Sequence, residues 1–195
     1  DVVIVGAGVH GLSTAYYLAK LGITNVAVLD KSYMGSGGSG RNTAIIRSNY
    51  LTAEAIPFFR ESHKLYENLG REMSFNLLFN QMGRLDIGHT ESSVYWLRLR
   101  VEFNKLLGVD SRLIGPDEIK KMVPQIDLRV DKPLPIMGAL YHPRAGVARH
   151  DAGVWGLARG ADKMGVEIHP FTKVTGITRE GSRITGVETT AGLVM

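Results

Sequence analysis

At 195 residues the chain is long enough for one domain and part of a second, at about 150 residues per domain, so a complete two-domain enzyme is not expected. Hydrophobic residues make up 44% and charged residues 22%, a globular balance that excludes a disordered chain or a coiled-coil rod. The net charge of +4 forms no stripe, since the longest basic run is Lys120-Lys121, and nucleic acid is not expected as a partner.

The opening run Asp1-Val2-Val3-Ile4-Val5 reads as a buried strand and lacks the basic start of a signal peptide. Ala15, Leu18 and Ala19 then recur at helical spacing up to Gly22, and Val26 to Leu29 forms a second strand, which together make a βαβ unit. Gly35-Ser36-Gly37-Gly38-Ser39-Gly40 is too rich in glycine for a helix or strand and reads as a flexible or ligand-moulded loop leading into Arg41-Asn42-Thr43. A helix is expected from Thr52 with Ile56, Phe59, His63 and Tyr66 on one face, and another with Trp96, Leu99, Phe103 and Leu106 at the same spacing. Strand-like segments at Leu77 to Asn80 and Arg84 to Gly88 separate them. A third helix, with Asp151 as its N-cap, turns Val154, Leu157, Ala158 and Ala161 inward. Two strands pair across a Glu180-Gly181-Ser182 turn, and Leu193-Val194-Met195 starts one more.

With no cysteine the chain has no disulfide framework, thiol nucleophile or cysteine-built zinc site, which favours a cytoplasmic protein over a small secreted one. No apolar stretch approaches the ~18 residues of a membrane span, so no membrane association is expected. No pair of histidines has metal-ligand spacing, and no metal is expected.

Chemistry enters at Gly6-Ala7-Gly8-Val9-His10-Gly11, a G-x-G-x-x-G sequence between a strand and a helix, with Asp30 about 20 residues further on at the end of the second strand. Gly6 permits the tight turn, Gly8 lets a pyrophosphate approach the backbone, and Gly11 lets helix and strand pack closely. Asp30 is suited to accept hydrogen bonds from ribose hydroxyls. The glycine loop and long helix that follow, in place of further βα units, favour FAD over NAD. His10 reads either as a neighbour of the phosphate or flavin or as a solvent-facing residue of the first helical turn.

The order of these motifs resembles the D-amino-acid-oxidase-type flavoproteins. Arg41 to Tyr50 (RNTAIIRSNY) and Tyr141 to Asp151 (YHPRAGVARHD) resemble the β-subunit family of heterotetrameric sarcosine oxidases, and the similarity runs from Asp1 to Met195. It implies an α/β fold, an FAD-binding Rossmann-type (glutathione-reductase-like) domain at 1–70 and 146–195, incomplete at its C-terminus, with part of a mixed α+β substrate or interface domain at 71–145. It also implies noncovalent FAD held at Gly6, Gly8, Gly11, Asp30, Lys31, Ser39, Arg41, Asn42, Thr43 and Val174. His150 matches the family's FMN-linked histidine, with Arg144 and Arg149 as candidates to offset the FMN phosphate. Arg47 matches the arginine that takes the substrate carboxylate, a role suited to its planar fork of donors, and Tyr50 either borders that cavity or is a core aromatic. At Ala44 the monomeric sarcosine oxidases carry an arginine, so contacts made there do not transfer.

The resemblance thus implies oxidative demethylation of sarcosine to glycine and a one-carbon unit, with electrons passing from FAD to FMN to oxygen and giving hydrogen peroxide. It implies an α-subunit partner, tetrahydrofolate bound through that subunit, and a segment that is inactive alone because downstream parts of the family are missing. The alternatives are an FAD-dependent dehydrogenase or oxidase of another secondary or D-amino acid without FMN, and a non-catalytic flavoprotein fragment or binding scaffold.

Overall fold

The computed structural model describes residues 1–131 and 133–195. In chain order the elements are β1 (Val2–Val5), α1 (Val9–Lys20), β2 (Val26–Leu29), β3 (Ile45–Ile46), α2 (Ala55–Glu72), β4 (Arg84–Gly88), α3 (Glu91–Leu106) and β5 (Arg112–Ile114). They continue with α4 (Pro116–Met122), β6 (Gly138–His142), β7 (Gly146–Val147), α5 (His150–Asp162), β8 (Glu167–His169), β9 (Val174–Glu180), β10 (Arg183–Thr189) and β11 (Gly192–Val194). Two compact units emerge: residues 1–44, 69–78 and 148–195, and residues 45–68 and 79–147. Residues 45–68 therefore group with the middle of the chain, whereas the sequence reading placed them with 1–70.

The first unit is built on a parallel sheet in the order β1-β2-β8, with β1 and β2 joined by α1 as the βαβ reading expects. β2 is central, and Val26, Val28 and Leu29 are buried on it. β1 is an edge strand here, so the expectation of a buried strand fails at Val5, which is 62% exposed. α5 packs on α1 because glycine replaces a side chain where the helices touch: a Cβ on Gly160 would stand 2.7 Å from the Tyr16 ring. Val154, Leu157, Ala158 and Ala161 are buried as expected. The helix begins at His150, however, with Arg149 as N-cap, so Asp151 lies inside the first turn. There its Oδ1 accepts from the Ala152 amide at 2.9 Å, meeting one of the unpaired first-turn donors from within the helix. β9, β10 and β11 form a separate antiparallel sheet whose first turn holds Gly181 at φ +60°, so the last strand pairs with β10 and adds nothing to the parallel sheet.

The second unit centres on an antiparallel sheet, β4-β6-β5, whose core is Ile114, Ile119 and Ala139 with Leu85 and Tyr141 packed against it. β4 spans Arg84 to Gly88 as read, but of Leu77 to Asn80 Asn80 alone enters a bridge, with Val147. α3 is started by a Thr90–Ser93 capping box. The face expected to be buried is the exposed one: Trp96 is 65% and Leu106 79% exposed, while Val101 and Asn104 are buried. Val94 and Leu97 turn toward the sheet, where Gly88 offers room that a Cβ would take within 2.9 Å of Val94. Both faces carry apolar residues at helical spacing, and periodicity alone does not say which one meets the sheet. Lys120 and Lys121 fall in the last turn of α4, where cations meet the negative end of the helix dipole favourably.

Two buried histidines brace this unit. His142 Nδ1 donates to the Asp110 carbonyl at 2.7 Å, which leaves Nε2 to accept from the Ser48 amide at 3.4 Å and to pair with the Ser48 hydroxyl at 3.1 Å. His63 lies on the inner face of α2, 3.7 Å from Glu67. Burial pushes both rings below the usual histidine range, with Glu67 pulling His63 the other way. A depressed folded-state pKa means that the unfolded chain binds the proton more readily. Stability is therefore full above about pH 6.5 and falls as the pH drops below it. His142→Phe should flatten part of that loss in denaturant titrations at pH 5 and 7.5. In the same assay Leu140→Ala, at a fully buried site, should cost about 2–5 kcal/mol, and Trp96→Ser less than about 0.5 kcal/mol wherever that face stays in water.

Candidate functional site

The glycine sequence forms the turn between β1 and α1, and each glycine answers a different demand. Gly6 has φ +112°, a conformation that side chains avoid. A Cβ on Gly11 would stand 2.0 Å from the Gly6 carbonyl oxygen, so helix and turn meet there without space for a methyl group. Gly8 differs: its φ is ordinary, and a Cβ would meet a single atom, Ser39 Oγ, at 3.1 Å. Nothing in the backbone or core demands a glycine at this position, which fits a ligand that must come close.

The amide end of α1 is prepared for an anion. Gly8 is the N-cap and offers no side-chain cap, and no acidic residue lies in the first turn. The first α-type bond runs from Leu12 to Gly8, so the amides of His10 and Gly11 precede it, and that of Val9 is taken by Ser39 Oγ at 2.9 Å. Amides and dipole together favour a phosphate. His10 itself is exposed, in keeping with a first-turn surface residue.

Asp30 is tied to the same turn. Its Oδ2 accepts from the Ala7 amide at 2.7 Å and its Oδ1 from the Ser32 amide at 2.8 Å, while its backbone carbonyl accepts from Thr172. The acid expected to meet ribose hydroxyls thus also fastens the glycine turn, and each oxygen keeps a further lone pair for a ligand. The Gly35–Gly40 stretch, read as a loop unsuited to helix, contains a short 3-10 turn at Gly38–Gly40. Gly35 donates to the Ala7 carbonyl at 2.9 Å, and a Cβ on Gly40 would stand 2.6 Å from the Gly35 carbonyl oxygen, so tight folding accounts for these glycines. Asn42 turns back on this loop, donating to the Gly38 and Ser39 carbonyls and accepting from the Ala44 amide. Lys31, Arg41 and Thr43 are exposed, and Val174 opens β9 half-buried.

His150 lies in the first unit as well. Its Nε2 is 3.2 Å from the Gly40 carbonyl oxygen, which can only accept, so Nε2 is the donor of that contact. The two arginines expected to offset a phosphate are engaged elsewhere: Arg149 pairs with Asp151 at 2.9 Å and Arg144 with Glu67. Sequence proximity to His150 suggested them, and the nearer carboxylates in space decide otherwise.

Arg47 and Tyr50 belong to the second unit. Arg47 Nη1 donates to the Asn49 carbonyl at 3.1 Å and to Asn49 Oδ1 at 3.3 Å, and its Cζ lies 4.1 Å from the Tyr50 ring centroid. Tyr50 stacks on Phe59 at 3.7 Å, so it is at once a packed aromatic and the platform for Arg47. Among the described residues no carboxylate lies within ion-pair distance of Arg47. Asn49, which the sequence reading missed, gave no signal beyond standing two residues from Arg47. Also among the described residues, no three metal-binding side chains come together and no helix is long and apolar enough to cross a membrane.

A parallel βαβ unit with this glycine turn, an open amide end and a terminal acid defines a dinucleotide-binding protein of the α/β class. The chain belongs to the FAD dependent oxidoreductase family, whose model matches residues 1–194. It is 49% identical over all 195 residues to sarcosine oxidase subunit beta of an Arthrobacter species and 42% identical to that of Rhodobacter capsulatus. It covers 48% and 47% of those proteins, so the chain spans about half the length of these curated relatives. Among solved structures, L-proline dehydrogenase from P. horikoshii superimposes with a TM-score of 0.90 at 28% identity, covering the whole of this chain and 50% of that one. Glycine oxidase from Bacillus cereus gives 0.86 at 25% identity, covering the whole of this chain and 52% of that one.

The glycine geometry separates two kinds of variant in the full-length protein. Gly8→Val should keep the circular dichroism spectrum and lose FAD on gel filtration. Gly11→Ala should lower the melting temperature whether or not flavin is present, at a cost of about 1–3 kcal/mol for the forced shift.

Proposed function

We propose that this chain is the FAD-binding part of an amine oxidoreductase that demethylates sarcosine to glycine and a one-carbon unit. The observation that carries the reading is Arg47, whose charge no carboxylate among the described residues meets and whose head is held by neutral oxygens and an aromatic face. Such a group takes a substrate carboxylate through its remaining donors, fixing an N-methyl amino acid by the end that does not react. The identity of 42% to 49% with sarcosine oxidase β subunits over the whole chain supports the same substrate. When bound, FAD supplies the two-electron acceptor for the amine C–H bond. Gly6, Gly8, Gly11, Asp30, Lys31, Ser39, Arg41, Asn42, Thr43 and Val174, all in the first unit, are assigned to it. The imine left by oxidation hydrolyses to glycine and formaldehyde or yields its carbon to tetrahydrofolate on a partner α subunit.

His150 is assigned as the attachment point for FMN, which when bound would supply a route for electrons to oxygen with peroxide as product. A ring nitrogen, Nδ1, that meets no hydrogen-bond partner among the described residues supports that assignment, since attachment needs an accessible nucleophilic nitrogen. An FAD-binding domain drawn from both ends of the chain, with a substrate or interface domain between them, and a cytoplasmic location belong to the same reading. The likeness to L-proline dehydrogenase favours one second reading, a dehydrogenase for another secondary amino acid.

The test uses the full-length protein with its partner subunits. Arg47→Lys should raise the KM for sarcosine at least about tenfold, because lysine keeps the charge and loses the fork. Faster flavin reduction by proline than by sarcosine would replace the first reading with the second. Mass spectrometry of the peptide containing His150 should show an added FMN, and an unmodified peptide would remove the second flavin.

A further inference from the structure

Arg47 is aimed by a chain of groups that the sequence places far apart. Asn49 is fully buried and its amide is locked: Nδ2 donates to Asp86 Oδ2 at 2.8 Å, which turns the amide oxygen toward Arg47 Nη1. Asp86 is held in turn by Arg84, whose Nε lies 2.7 Å from Oδ1, and by Arg100, whose Nη2 lies 3.3 Å from Oδ2. Arg100 also donates through Nε and Nη2 to the Asn49 backbone carbonyl, the oxygen that Arg47 shares. Two guanidinium groups thus hold one carboxylate, and a third, that of Arg47, reaches only the Asn49 oxygens. Burial holds Arg100 below the usual arginine range, with Asp86 opposing and Arg47 and Arg84 adding smaller pushes. By formal charge, three guanidinium groups against one carboxylate leave an excess of positive charge.

The residue type at position 49 decides how that excess is used. An amide oxygen accepts a hydrogen bond from Arg47 and carries no formal charge, so it orients the guanidinium without neutralising it. A carboxylate there would capture Arg47 as an ion pair and face Asp86 as a like charge. Asp86 meanwhile is spent on Arg84, Arg100 and the Asn49 amide, and the charge left for an incoming anion is that of Arg47.

We propose that Asn49, held by Asp86, is the positioning residue that sets Arg47 for a substrate bearing one carboxylate. The inference rests on the reading of Arg47 as the carboxylate-binding group. Its test uses the flavin-loaded full-length protein, with acetate as the probe in isothermal titration calorimetry and sarcosine in steady-state kinetics. Asn49→Asp should weaken acetate and raise the KM for sarcosine by about tenfold or more, with kcat within about twofold. Asn49→Ala, which removes the oxygen that orients Arg47, adds no charge and leaves Asp86 on Arg84 and Arg100, should do the same to a smaller extent and serves if Asn49→Asp fails to fold. In an Arg47→Met background neither change should lower kcat/KM further, a non-additivity that a merely structural role does not produce. Acetate binding unchanged in both single variants, or equal losses with and without Arg47, would overturn the positioning role. Acetate binding unchanged in Arg47→Met would instead sink the carboxylate reading itself.

Discussion

A Cβ on Gly11 would lie 2.0 Å from the carbonyl oxygen of Gly6, and the first unit is organised around that approach. It brings the first turn of α1 against the end of β1, so the amides at the helix start face the space beside Gly8. Asp30, at the end of the neighbouring strand, then reaches the Ala7 amide, and the Gly35–Gly40 turn reaches the Ala7 carbonyl. One close contact therefore goes together with the helix direction, the open amide end and the position of the acid. This is why the three glycines are not equivalent: two satisfy the chain's own geometry, and the third leaves room for something else.

The second unit is organised by charge. Arg144 is compensated by Glu67, and Arg84 and Arg100 share Asp86. Arg47 is oriented by carbonyl oxygens and an aromatic ring, which hold a cation in place at little cost to its charge. The contrast separates arginines held by carboxylates from one held by neutral groups within a single unit. A partnered arginine is half of an ion pair, whereas one held by neutral groups keeps its field for a ligand.

Much of the architecture is legible in local sequence. The βαβ unit, the β4 range, the inner face of α5 and the turn at Gly181 follow from periodicity and from glycine placement. These features depend on neighbours within a few residues, and the chain records them directly. The short elements β5 and α4 were not anticipated, because three and seven residues give too little periodicity to read.

Tertiary structure decided the rest. The sequence of α3 determined that a helix forms, but Val94 and Leu97 meet the sheet and Val101 is buried while Trp96 and Leu106 are exposed, a choice made by the packed unit rather than by periodicity. The sequence marked Asp30 as a ligand acid, and only the fold showed it fastening Ala7 and Ser32. It drew Arg144 and Arg149 toward His150 by proximity along the chain, while in space Glu67 and Asp151 claim them. It placed Arg47 and Asn49 side by side, but Asp86 and Arg100 reach them from β4 and α3. Local residue order encodes backbone conformation, whereas the pairing of charges across tens of residues depends on which surfaces the packed core brings together.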